Sequence, residues 1–207
     1  HLVATANAEM VMLANENPTL HSILNNASLV VPDGAGILWA AERQGEHVPE
    51  RVTGVDVTKE LFKVAATHQI PVYCLGAAPG VAQRAIDNVS AQVGVLNIAG
   101  IHDGFFDSAE EQEIIKSIAD SKAKLVFVAL GVPKQEQWIA EKLSHLDGVV
   151  AIGIGGSFDV LAGNIPRAPE WMQQNRLEWL YRLYLEPQRI GRMLAIPKFM
   201  WTVIRNK

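Results

Sequence analysis

The residues best placed to do chemistry begin with one carboxylate. In Leu29-Val30-Val31-Pro32-Asp33-Gly34-Ala35-Gly36 an apolar run stops at a proline, and Asp33 stands alone before two glycines. A second polar cluster, Thr5-Ala6-Asn7-Ala8-Glu9, also follows an apolar run. Open α/β proteins keep their chemistry where strands end. A carboxylate at the mouth of such a cleft is a candidate general base. Spacing alone favours a structural alternative, because Asp before a helix caps it and Pro-Asp-Gly is an ordinary turn signal.

Other groups compete for the same roles. Asp56, in Thr53-Gly54-Val55-Asp56, reads as a helix cap or structural partner, and Asp103, in His102-Asp103-Gly104, reads as a turn. Arg51 is either half of a surface ion pair, which is weak, or a guanidinium fork for phosphate. Gly131-Val132-Pro133-Lys134-Gln135-Glu136-Gln137-Trp138 is either a helix start with a solvated charge pair or a polar rim. On the second reading Lys134 or Gln135 touches a sugar or diphosphate. Gly153-Ile154-Gly155-Gly156-Ser157 lacks the full G-x-G-x-x-G spacing, so its likeness to a dinucleotide loop is weak. No Asp-x-Asp, Gly-x-Ser-x-Gly, Walker loop or His-Glu-x-x-His occurs, and the six His show no ligand spacing. No metal and no cofactor are therefore expected.

These groups need elements to position them. Strands are expected at Leu2–Ala4, Leu29–Val31, Val72–Leu75, Val93–Ala99, Leu125–Leu130 and Val149–Ile154. Helices are expected at about 7–16, 18–26, 34–43, 56–68, 80–92, 108–120, 134–144 and 157–162. Strands that are apolar throughout are buried on both faces. Alternation with helices gives an α/β fold with a mostly parallel, Rossmann-like sheet. Three strand-to-helix turns carry glycine, at Gly76, Gly131 and Gly155, and helix N-termini there can hold phosphate. The alternating pattern breaks at Gly163-Asn164-Ile165-Pro166-Arg167-Ala168-Pro169, so residues 1–163 read as the core and 164–207 as a helical appendage.

The appendage differs in composition. Residues 170–207 hold seven Lys and Arg against three Glu, a net +4 that leaves −8 for the rest of a chain whose total is −4. They also hold three of the five Trp and two of the three Tyr. A basic, aromatic tail on an acidic body suits an anionic surface such as a membrane. The overall charge gives no nucleic-acid footprint. No apolar run approaches the ~20 residues of a spanning helix. Cys74 is the one cysteine and lies in an apolar run, which fits packing and a reducing compartment. The chain opens at His1 inside a strand-like run without a methionine, so a preceding N-terminal piece is expected.

Ten motifs occur in an order that is strongly specific. They are Thr5-x-Asn7-Ala8-Glu9, Val31-Pro32-Asp33-Gly34-x-Gly36, Arg51-Val52-x-Gly54-x-Asp56, Gly76-Ala77, Asp103-Gly104-Phe105-Phe106, Gly131-x-Pro133-Lys134-Gln135-Glu136, Gly153-x-Gly155-Gly156-Ser157-Phe158-Asp159-Val160, Gly163, Arg167-Ala168-Pro169 and Leu177-Glu178-Trp179-Leu180-Tyr181-Arg182-Leu183. Together, from residue 2 to about 200, they resemble the WecG/TagA/CpsF glycosyltransferases.

The resemblance implies inverting transfer of a sugar from UDP to a lipid-linked sugar diphosphate. One branch moves N-acetylmannosamine onto undecaprenyl-diphospho-N-acetylglucosamine for wall teichoic acid, and another uses the corresponding uronic acid. It implies Asp33 as base, with Thr5, Arg51 and Gln135 beside it. Asn7, Lys134, Gly131, Gly155, Gly156 and Ser157 are expected around the substrates. Arg182, Arg189 and Arg192 are expected to meet the membrane and the lipid diphosphate. The enzyme would be cytoplasmic and peripheral on the inner face of the bacterial membrane, with self-association as a homo-oligomer left open. One base suffices for inversion, and UDP leaves readily, so a second carboxylate is less needed than in glycoside hydrolysis. Two other readings stay open: a nicotinamide-dependent oxidoreductase, which lacks its fingerprint here, and a non-catalytic UDP-sugar-binding scaffold.

Overall fold

The computed structural model describes residues 1–49, 51–175 and 177–205. Six strands form one parallel sheet in the order β2-β1-β6-β5-β3-β4. They are β1 (Leu2–Ala6), β2 (Leu29–Pro32), β3 (Val72–Gly76), β4 (Ile98–His102), β5 (Leu125–Ala129) and β6 (Val150–Gly153).

The helices between them start where the sequence offers an acceptor. Asn7 caps α1 (Ala8–Glu16) by taking the Met10 N–H at 2.9 Å. Asn17 caps α2 (Pro18–Asn26), and Thr53 caps α4 (Gly54–His68). Asp107 and Glu110 close a reciprocal capping box on α6 (Ser108–Asp120), which satisfies two orphan donors. The remaining core helices are α3 (Ala35–Gln44), α5 (Val81–Val93), α7 (Lys134–Trp138, continuing into a π-helical turn at Ile139–Leu143) and α8 (Ser157–Leu161).

Alternate residues of the inner strands feed two cores. Val72, Cys74, Leu125, Phe127 and Ile152 pack on one face with Phe62, Val81, Ile86 and Phe158, from α4, α5 and α8. Tyr73, Leu75, Val126, Val128 and Ala151 pack on the other with Ile114, Ile118 and Trp138, from α6 and α7. Phe127 sits at the centre of the first core, with ring centroids 4.7 Å from Phe62 and 6.5 Å from Phe158. The central strands are thus apolar for the reason the sequence indicates.

Two elements depart from expectation. The run Val93–Ala99 is not one strand. Val93 closes α5, Gly94 at φ +99° ends it, and the strand is Ile98–His102. β2 is not buried on both faces, since it lies at the sheet edge and leaves Leu29 and Val30 exposed.

β1 and β6 are neighbours, yet they leave the sheet to opposite faces. Val3 packs with the first core, while Ala4 and Ala6 face Met10 of α1 on the other side. α8, which follows β6, packs in the first core through Phe158. Chains that diverge in this way open a crevice at the strand ends.

Beyond Gly163 a run of short helices closes on the core: α9 (Glu170–Gln174), α10 (Glu178–Leu185), a 3-10 turn (Pro187–Arg189), α11 (Ile190–Met193) and α12 (Ala195–Arg205). Phe199 of α12 is buried against Ala8, Met12 and Ala40. Pro187 interrupts the helix that would otherwise run from α10, as its missing N–H and ring demand.

Cys74 is fully buried in β3, and burial pushes its thiol far up. It should resist a disulfide reagent in the folded protein and react only at the rate of unfolding. Fast stoichiometric labelling under native conditions would contradict that packing.

Candidate active site

The C-terminal ends of β1, β2, β5 and β6 line one cleft of about 540 Å³, walled on its far side by α10, α11 and α12. Asp33 enters it directly from β2. Its backbone N–H donates to the Ala6 carbonyl at 2.7 Å, so the turn after β2 is tied to the end of β1. The cap suggested by spacing is not there. Gly34, at φ +94°, occupies the N-cap position of α3, with no side-chain bond. The Asp33 carboxylate instead reaches across to α4, where Oδ2 accepts the Gly54 N–H at 3.3 Å.

That setting alters its acidity. Burial raises the Asp33 pKa to about 6, against the Gly54 N–H and the charges of Arg51 and Arg182, which pull it down, while Asp56 adds to the rise. A carboxylate near this value is ionised at neutral pH and is still a competent proton acceptor.

Beside it runs a network of charges joining the core to the appendage. Arg51 pairs with Glu178 of α10. Arg167 forks both oxygens of Asp56, at 2.6 and 2.7 Å, and its Nε lies 3.5 Å from Glu178. The Thr53 hydroxyl donates to Asp56 at 2.6 Å. Burial pushes Asp56 up, but the Arg167 fork, Thr53 and Arg51 outweigh it and hold the carboxyl below its usual value. Asp56 is therefore the structural partner its spacing indicated. Asp103 likewise makes a turn, accepting the Phe105 N–H at 2.9 Å.

The floor of the cleft is built from β1, β5 and β6. The Thr5 hydroxyl donates to the Gly153 carbonyl at 3.1 Å. Gln135 is 1% exposed. Its Oε1 accepts the N–H of Gly131 at 3.2 Å and of Gly155 at 2.9 Å, and its Nε2 donates to Glu136 at 2.7 Å. Ser157 turns its hydroxyl to the Ile154 carbonyl at 2.6 Å. Gly156 leaves room for Arg182, whose guanidinium occupies the space that a Cβ would need. Asn7 lines the cleft while capping α1.

Lys134 is not brought in. It is exposed, outside the cleft lining, with Nζ 5.3 Å above the Phe106 ring. The glycine turn after β3, at Gly76, also lies away from the cleft.

Arg182, Arg189 and Arg192 all line the wall despite the break at Pro187. Glu186 gathers two of them, Arg182 Nε at 3.2 Å and Arg189 Nη1 at 2.9 Å. Burial, and then the neighbouring Arg189, lower the Arg182 pKa. The Arg192 Nε lies 3.7 Å from Glu9, which also lines the cleft. Among the described residues no cluster of His, Cys, Asp or Glu is arranged to hold a metal ion.

Sequence reasoning missed several participants. Glu178 and Arg167 were visible only as parts of longer motifs, and their partners in the core, Arg51 and Asp56, lie more than a hundred residues away. Glu136 read as half of a solvated pair, yet it is fully buried. A signal for it existed: at helical spacing Glu136 shares a face with Ile139 and Leu143, both apolar and buried.

A sequence profile of the glycosyl transferase WecG/TagA/CpsF family matches residues 1–207. A Bacillus subtilis protein named N-acetylglucosaminyldiphosphoundecaprenol N-acetyl-beta-D-mannosaminyltransferase is 35% identical over 206 residues, covering 100% of this chain and 80% of its own length. Proteins of the same name are similar at 37% identity in Bacillus spizizenii, with 99% and 79% covered, and at 33% in Staphylococcus aureus, with 99% and 80% covered. With a profile match along its length and relatives above 30% identity, the chain belongs to the WecG/TagA/CpsF family of glycosyl transferases.

Proposed function

We propose that this protein transfers N-acetylmannosamine from its UDP derivative to undecaprenyl-diphospho-N-acetylglucosamine, with inversion at the anomeric carbon. The names of the similar proteins motivate both substrates. The observation that carries the chemistry is Asp33, half-buried at the strand ends and raised to about 6. It takes the proton from the acceptor hydroxyl as that oxygen attacks, and the diphosphate leaves from the opposite face. Arg51 and Arg182 are the nearest cations to answer the charge that develops on the leaving group. Thr5, Asn7, Gly131 and the Gly155-Gly156-Ser157 turn shape the donor side, and Gln135 holds two of those turns in place.

Arg189 and Arg192 extend the basic wall outward for the acceptor's diphosphate. The same appendage exposes Tyr184 at 80% and Trp201 at 66%, with Ile190 and Leu194 between them in sequence. Among the described residues no helix is long and apolar enough to cross a membrane. We read residues 164–207 as a surface that rests on the inner face of the membrane, where the acceptor resides.

Asp33→Asn should lower turnover by about 10²–10⁴-fold in an assay with a short-chain lipid acceptor, read by mass spectrometry. Near-normal turnover would overturn the assignment. In the parent protein kcat/KM should climb tenfold per pH unit up to about 6 and level off above it, because the base must be ionised.

The same substitution should move stability the other way. The folded pKa lies above the ordinary 3.8, so folding disfavours the ionised form. The cost is absent below about pH 4 and is complete above about pH 6, where it reaches roughly 3 kcal/mol. Asp33→Asn should therefore melt higher than the parent at pH 8 and equal to it at pH 3.5. A lower melting point at pH 8 would mark Asp33 as a structural anchor.

Vesicles containing anionic lipid should sediment the protein, and added salt should release it. Tyr184→Ala with Trp201→Ala should weaken that binding on the order of tenfold. Equal binding of parent and variant would remove the appendage from the membrane contact.

A further inference from the structure

Glu136 is a buried acid that the proposed reaction does not use. It is 0% exposed, and it follows Gln135 in the first turn of α7. Its Oε1 accepts from Gln135 Nε2 at 2.7 Å, while its Oε2 is buried with no hydrogen-bond partner. The pair lies directly over the end of β6, where a Cβ on Gly153 would come within 2.5 Å of Gln135 Nε2 and 2.8 Å of Glu136 Oε1. The other end of the Gln135 amide holds the Gly131 and Gly155 N–H groups, one from each of the turns that follow β5 and β6.

We propose that Glu136 is a positioning residue: its Oε1 fixes the Gln135 amide, and through that amide it places the Gly131 and Gly155 turns that shape the nucleotide side of the cleft. This rests on reading the cleft as a UDP-sugar site.

The amide can satisfy its surroundings in only one orientation. Its carbonyl faces two N–H donors, so its NH2 must face an acceptor. An apolar side chain at 136 would leave that NH2 buried and unpaired, which proteins avoid. Relief would come from turning the amide, and its NH2 would then confront the Gly131 and Gly155 N–H groups and push the turns apart. Both glycines have positive φ, +78° and +51°, a conformation held by such contacts. Gly156, next in the β6 turn, is where Arg182 packs, so a displaced turn also displaces a cation of the cleft.

What the site requires of residue 136 is an acceptor oxygen, not a charge. Burial raises the Glu136 pKa to about 7, the Gln135 bond pulls it down and the charge of Glu9 adds to the rise, so the neutral acid is accessible at neutral pH. Glutamine offers the same oxygen, and methionine offers the same length without it.

The test compares Glu136→Gln and Glu136→Met with the parent chain, using UDP as the probe. Calorimetry gives affinity and stoichiometry, and amide hydrogen exchange by NMR reads Gly131 and Gly155. The Met variant should bind UDP about tenfold more weakly, as expected for one lost buried hydrogen bond. It should also lose exchange protection at those two glycines. The Gln variant should stay within about twofold of the parent and keep both protections. A merely structural role would lower the stoichiometry of the Met variant and leave its affinity unchanged, and that result overturns the proposal. So do equal losses in the two variants. If the Met variant does not fold, the Gln variant decides: retained affinity and protection support the role, and a tenfold loss in folded protein overturns it. A parent chain that does not bind UDP refutes the reading of the cleft instead. The exchange of Gly131 and Gly155 then still judges the positioning role.

Discussion

Asp33 is held where water is scarce, and a carboxylate in that position must be answered by donors and cations brought from elsewhere in the chain. β2 alone cannot supply them. The Gly54 N–H comes from the start of α4, Arg51 from the loop before it, and Arg182 from a helix beyond the sheet. Each of these depends on a packing decision made far from the reacting centre. α4 is fixed by Phe62 against Phe127, and the last helix is fixed by Phe199 against α1 and α3. The balance leaves the acid near 6 instead of 3.8 or far above neutrality. Removing one cation would raise it further, and exposing it to water would let it fall.

The appendage belongs to this balance. Glu178 meets Arg51, and Arg167 bridges Glu178 to Asp56. Asp56 in turn stands over the first turn of α4, the helix that donates to Asp33. Alternating charges therefore link α10 to the turn beneath the candidate base. Exposed ion pairs are individually weak. These are partly buried, share partners and include a bidentate fork, which is the circumstance in which such pairs fix geometry. The packing of α10 on the cleft is also what brings Arg182 to Gly156.

Much of this was legible in the chain. The doubly buried strands Val72–Leu75 and Leu125–Leu130 announce themselves by unbroken apolar runs, and the helices expected at about 7–16, 18–26 and 108–120 form as α1, α2 and α6. Asp33 was legible as a strand-end carboxylate, because proline and glycine mark the end of β2. Its choice between capping α3 and entering the cleft was not, because the deciding partner, Gly54, lies twenty-one residues away and meets it only in the folded chain. β4 was misplaced because an edge strand needs no continuous apolar run: Val93 is the last residue of α5, and Leu96 belongs to the loop that precedes the strand. Lys134 fell outside the cleft for a similar reason. Gln135 and Glu136 take the inward face of α7, and Lys134, at its first position, is turned to Phe106 and solvent.

The glycine turns carry a further lesson about how the anion is met. Their spacing suggested open N–H groups waiting for phosphate. In the structure the Gly131 and Gly155 N–H groups are already bound to Gln135, and the Ser157 N–H donates to the Ile154 carbonyl at 3.1 Å. These turns use their donors to hold β5 and β6 in register at the cleft floor. On the proposed reading, charge compensation therefore falls to the side-chain cations that line the cleft, Arg51, Arg182, Arg189 and Arg192. Three of those four stand on the appendage, and a guanidinium there binds diphosphate more strongly than a neutral N–H does. Turns that consume their backbone donors internally leave an anion to be met by side-chain cations, and in this cleft Arg182, Arg189 and Arg192 stand on the wall opposite the strand ends.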